Sequence, residues 1–115
     1  MGRSPLQYPD DFTDVIIEAA KAGVPTVIVA EVIVGATAPI SLAGAIVQHN
    51  AEVLGGIVLS QLASKRAPIL YGSTSHIMDM KFATPSVGSP ELGMLSAALS
   101  QMAKLYKLPC MMAGG

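Results

Sequence analysis

The sequence predicts an α/β fold with a parallel sheet, and three observations carry that prediction. Helix-like and strand-like segments alternate as α-β-α-β-α-β, with strands beginning near residues 24, 68 and 109. The intervals are 68 − 24 = 44 and 109 − 68 = 41 residues, the length of a repeated βα unit. The first strand, within 24–30, reads TVIVA and is apolar on both faces, as in a strand sandwiched inside a parallel sheet. The third observation is a sparse surface. Only 13% of the 115 residues are charged and 51% are hydrophobic, against ~25% charged in an average soluble domain. A small domain has much surface for its volume, so this chain must bury part of it against other protein. Three βα units make about three-eighths of a closed (β/α)8 barrel of the TIM type, which needs ~250 residues. Residues 1–115 are therefore read as a single partial domain, a middle portion of such a barrel.

The first element is a helix over residues 10–22. Asp10 or Asp11 is expected to cap it, Phe12, Val15, Ile16, Ala19 and Ala20 share one face, and Gly23 and Pro25 stop it. The strand Thr26 to Ala30 follows, then a loop through Gly35 and Pro39. A long helix from Ser41 to Ser64 has a broad apolar arc. Its polar group Gln48, His49 and Glu52 is read as a satisfied or solvated polar face rather than as metal ligands. Pro68 opens a second strand, 68–71. Residues 72–88 form the longest loop, well beyond the usual 2–6 residues of a βα connection. Ser89-Pro90-Glu91 is a strong helix start, and Leu92, Leu95, Leu99, Met102, Ala103 and Tyr106 form its apolar stripe. The third strand, 109–112, holds Cys110, read as a small buried hydrophobe.

Composition narrows the function classes. Seven Lys plus Arg against eight Asp plus Glu give a net charge of −1 with no basic cluster, which argues against nucleic acid as a partner. A single cysteine excludes a disulfide framework and a CxxC-type zinc site. No metal site is expected. Residues 24–47 are long enough to span a bilayer. However, Glu31 near its centre would cost roughly 2.5–3.5 kcal/mol, and Pro39 and Gly35 interrupt it. No membrane association is expected, and the N-terminus lacks the pattern of a secretory leader. A cytoplasmic protein is the expectation.

In a βα barrel, reactive groups sit on the loops after the strand C-termini. Those loops supply Glu31 and Thr37 after the first strand and Tyr71, Ser73, Asp79 and Met80 after the second, which are the candidate substrate-binding residues. Glu31 is either a desolvated acid/base group or a strand-end carboxylate that reaches water. No glycine-rich phosphate motif is present.

Several segments then carry a resemblance. GATAPISLAG (35–44), NAEVL (50–54), GIVL with Gln61-Leu62 (56–62), APILYG (67–72), Asp79-Met80-Lys81 and GSPE (88–91) stand in this order. The chain resembles the trimethylamine methyltransferase family from about residue 4 to its end. The resemblance implies a barrel enzyme that moves a methyl group from trimethylamine, or a related methylated amine, to the cobalt of a corrinoid protein, a reaction of methanogenesis. It implies no cofactor bound directly, the corrinoid being carried by the partner protein. It also implies a pyrrolysine in the barrel mouth that orients the amine. That residue stands at none of these 115 positions, so the catalytic residues are unknown and the piece alone is expected to be inactive. Relatives without pyrrolysine use quaternary amines such as glycine betaine. A further expectation is an amber codon directly after Gly115, with Gly114 and Gly115 making room for a bulky residue. The bare surface suggests a homo-oligomer. The competing reading is a small α/β binding or assembly module without catalytic activity.

Overall fold

A computed structural model describes residues 2–113. Three helices and six strands follow in the order α1 (Asp10–Ala22), β1 (Thr26–Ala30), β2 (Ile33–Val34), α2 (Leu42–Ala63), β3 (Ile69–Ser73), β4 (His76–Asp79), β5 (Thr84–Ser86), α3 (Pro90–Leu105) and β6 (Cys110–Met112). Strands β1, β3 and β6 form one parallel sheet in that order. These are the three strands expected from the sequence, with β3 running two residues further than predicted. Gly114 and Gly115 lie outside the described residues.

The helix ends follow local chemistry. Gly23 adopts φ 68°, a left-handed conformation that costs glycine little, and its N–H reaches back to the carbonyls of Ala19 and Ala20. Ser41 caps α2 through Gly44 N–H, and Ser89 caps α3 through Leu92 N–H, with Pro90 at the first helical position. One expectation fails at α1. Its N-cap is Pro9, with no side-chain cap, and Asp10 and Asp11 lie inside the first turn. There they still favour the positive end of the helix dipole. Val15, expected on the buried face, is 63% exposed, because Ile16 and Ala20 carry the contact with the sheet.

All three helices pack on one face of the sheet. The core joins Ile16 of α1, Val53 of α2 and Leu99 and Ala103 of α3 to Ile28, Ala30 and Tyr71 of the strands. α2 approaches β1 closely at Gly56, where a β-carbon would come within 2.6 Å of the Ile28 side chain. Strand residues alternate between faces. In the register Ile28–Tyr71–Cys110 and Val29–Gly72–Met111, the opposite face therefore presents Val27, Val29, Leu70, Gly72 and Met111. Of these only Gly72 is buried. This apolar sheet face is left half bare, and among the described residues β1 and β6 are unpaired sheet edges.

α2 adds a second bare apolar surface. Its exposed residues are Ala43, Val47, Ala51, Gly55, Val58 and Leu62, with not one charge among them. α1 and α3 flank this helix on either side, so closing a barrel would not cover that stripe. The isolated 115-residue chain is expected to self-associate through these surfaces and edges. Light scattering at micromolar concentration should give dimers or larger species. A monomer with one sharp cooperative melt would instead mark a self-contained domain.

The long loop 72–88 is not irregular. β4 pairs in parallel with β2 (Ile33 with His76, Val34 with Ile77) and antiparallel with β5. This small sheet lies at the C-terminal ends of β1 and β3, over a second core of Val32, Val34, Ala45 and Leu95. Residues 24–47, weighed above as a continuous apolar span, are thus divided among β1, β2, a turn and the start of α2.

Candidate functional site

Beyond Ala30 and Ser73 the parallel pair opens. Thr74 N–H still donates to the Ala30 carbonyl and His76 N–H to the Val32 carbonyl. Ser75 turns its hydroxyl to the Val32 N–H, while the Ser73 hydroxyl accepts from Ser75 N–H. Ser75 and Ser73 thereby satisfy the backbone at the strand ends. Val32, Val34 and Ile77 point toward the helices. Alternation then puts Glu31, Ile33 and His76 on the other side, the same side as the bare face of the main sheet. The geometry agrees: Glu31 Oε1 lies 4.0 Å from His76 Nδ1.

That side changes character along the strands. Its lower part is apolar, with Val27, Val29 and Leu70, and its C-terminal end is polar, with Glu31 and His76. The His76 side chain is buried, only 7% exposed, whereas the Glu31 side chain is 39% exposed. His76 Nδ1 meets the Thr74 carbonyl at 3.0 Å. Among the described residues, three buried side-chain polar atoms lack a hydrogen-bond partner: His49 Nε2 under the helices, and His76 Nε2 and Thr74 Oγ1 here. Buried polar groups are nearly always paired, so two orphans in one strand end mark a place where a partner is missing. This is the candidate site.

Of the residues expected at the site, only Glu31 is on it. Tyr71 is a correction: it shares a face with Ile28 and is fully buried under the helices, not at the mouth. Its hydroxyl meets His49 Nδ1 at 3.2 Å and donates to Asn50 Oδ1 at 3.1 Å, and Asn50 Nδ2 donates to Tyr106. Ser73 is buried on the same helix side. Thr37 stabilises the turn after β2, its hydroxyl accepting from Ile33 N–H and its carbonyl from Gln48 Nε2. Asp79 holds the β4–β5 turn, Oδ1 accepting from the N–H groups of Lys81 and Phe82. Met80 stands at the tip of that turn, 69% exposed. His76 belonged to the polar loop in the sequence but carried no spacing that singled it out. Only pairing with β2 reveals where it points.

Of the two readings offered for the polar face of α2, satisfied or solvated, the solvated one fails: His49 and Glu52 are buried. The N-terminal segment folds over α2, so that Ser4 Oγ and Leu6 N–H donate to the Glu52 carboxylate, Gln48 donates to it as well, and the Tyr8 hydroxyl donates to the Glu52 carbonyl. Burial lowers the His49 pKa to about 4, against the opposing pull of the Glu52 charge and the Gly72 carbonyl. Cys110, expected to be buried, is exposed, on a strand, β6, that among the described residues is a sheet edge. Among the described residues, no three His, Cys, Asp or Glu side chains gather as a metal site.

Comparison with known proteins fits the sequence resemblance. The family described as trimethylamine methyltransferase (MTTB) matches residues 1–115. A trimethylamine methyltransferase of Desulfitobacterium hafniense is 55% identical over 112 residues, 97% of this chain and 23% of that protein. One from Methanosarcina thermophila is 44% identical over 111 residues, again 23% of its length. A glycine betaine methyltransferase of Desulfitobacterium hafniense strain Y51 is 39% identical over 112 residues, 97% of this chain and 23% of that protein. The chain thus spans just under a quarter of the length of the curated relatives it matches.

Proposed function

Because the chain belongs to the trimethylamine methyltransferase family, we propose that it is part of an enzyme that transfers a methyl group from trimethylamine, or a related methylated amine, to a corrinoid protein. We read its three-stranded sheet as a portion of a (β/α)8 barrel, with the bare face turned to the barrel interior. The observation that carries this reading is the polarity of that face. It is apolar along the strands and bears a carboxylate and an imidazole with one nitrogen unpaired at the C-terminal ends, where barrel enzymes place their chemistry.

The chemistry suits those residues. A methylated ammonium is a compact cation wrapped in methyl groups. Glu31 offers a half-exposed carboxylate to its charge, and Val29 and Met111 give the methyl groups apolar surface. A corrinoid carried by a partner protein would supply the nucleophile that accepts the methyl group. As the carbon–nitrogen bond breaks, its electron pair stays on nitrogen, so a trimethylammonium leaves as neutral dimethylamine with the proton it already held. No proton need move, and holding the amine in line with the acceptor is the main task of the site. The residues that complete the barrel are needed for this, so the 115-residue piece alone is inactive in this reading.

The test is methyl transfer by the full-length polypeptide to a reduced corrinoid protein, followed by the cobalt absorbance change. Trimethylamine should drive it. Transfer from glycine betaine and none from trimethylamine would move the chain to the relatives bearing that name. No transfer from any methylated amine would overturn the proposal.

A further inference from the structure

The hydrogen-bonding state of His76 follows from its one partner. The Thr74 carbonyl can only accept, so the hydrogen of the neutral ring is on Nδ1. Nε2 is then an acceptor. It is buried, and among the described residues it meets no donor. The side chain is 7% exposed, so water does not readily answer for it. The Glu31 carboxylate lies 4.0 Å from the other ring nitrogen, Nδ1, on the same face, so negative charge and the unpaired Nε2 stand at the same strand end. The matching chemistry is a cation that carries an N–H.

We infer that His76 is a specificity-determining residue: its Nε2 accepts the single N–H of a tertiary ammonium, and Glu31 balances the charge. This rests on the methylated-amine reading above and deepens it. The two residues divide the work. Every methylated ammonium has the charge, and Glu31 serves all of them. A tertiary ammonium such as trimethylammonium has one N–H, while a quaternary one has a fourth carbon in its place. A quaternary cation leaves Nε2 buried and unpaired, and a site built to pair with an N–H rejects the analogue that lacks it.

The experiment is calorimetric binding of trimethylammonium and tetramethylammonium to the full-length polypeptide, as the native sequence and as His76→Phe, His76→Gln and Glu31→Gln. The native protein should bind trimethylammonium ~10-fold or more tightly than tetramethylammonium. His76→Phe should bring that ratio close to one by weakening trimethylammonium alone. His76→Gln, which can present an amide oxygen, covers the case in which phenylalanine does not fold, and should retain part of the preference. Glu31→Gln should weaken both cations by similar factors and leave the ratio in place. Two results overturn the inference. An unchanged ratio in folded His76→Phe and His76→Gln makes the histidine structural, with trimethylamine turnover left standing. No binding of either cation by the native protein removes the amine reading and this inference with it.

Discussion

Replacing Tyr71 by alanine is expected to cost on the order of 5 kcal/mol of folding stability. Truncating a fully buried aromatic ring costs about 3–5 kcal/mol, and Tyr71 is 0% exposed, packed among Ile28, Val53 and Leu99. The loss also strips the partner from His49 Nδ1 and from Asn50 Oδ1, and a buried polar atom left unpaired costs about 1–3 kcal/mol. Tyr71→Phe keeps the ring and should cost only the second part. Since whole domains have about 5–15 kcal/mol in hand, the alanine variant should lose between about a third and all of that stability. Denaturant titration of the full-length polypeptide decides it. A loss below about 1 kcal/mol would place the ring on the bare face, in reach of substrate.

The second large effect is acid lability through His49. Burial holds its folded pKa at about 4, against ~6.5 in an unfolded chain. Between those values the unfolded state takes up a proton that the folded state refuses. Stability therefore falls as pH drops through this window. The difference, 6.5 − 4, is about 2.5 units, or about 3 kcal/mol by pH 4. His49→Gln removes the titrating group, so the native and variant stability curves should converge on acidification by about that amount. Parallel curves from pH 7 to pH 4 would mean that His49 is reached by water or paired when charged.

These two residues also show where sequence reasoning stops. The helices were legible because their ends are chemical: Gly23, Ser41 and the Ser89-Pro90 pair each satisfy a backbone group locally. The parallel strands were legible from their apolar runs and spacing. What the runs could not say is which face is which. TVIVA and ILY are apolar on both sides, so nothing local tells whether Tyr71 looks toward the helices or away from them. β2 is two residues long and β4 is half polar, and both exist because they pair with each other across more than forty residues of chain. His76 inherits its position from that pairing. Likewise, His49 and Glu52 look like a wet helix face until Ser4, Leu6 and Tyr8 close over them. The place of Glu31, by contrast, follows directly from a strand whose end was visible, β1 closing at Ala30 just before it.

The central claim is that the chemistry sits at the C-terminal end of the parallel strands and not in the hairpin that follows. The most direct measurement compares methyl-transfer kcat/KM of full-length Glu31→Gln and Asp79→Asn. Removing a charged hydrogen-bonding partner of a cation costs about 1.5–3 kcal/mol, so Glu31→Gln should lose ~10-fold or more. Asp79→Asn keeps the oxygen that accepts from Lys81 and Phe82, and should turn over as the native protein does. A Glu31→Gln enzyme at native activity beside a crippled Asp79→Asn enzyme would contradict the account.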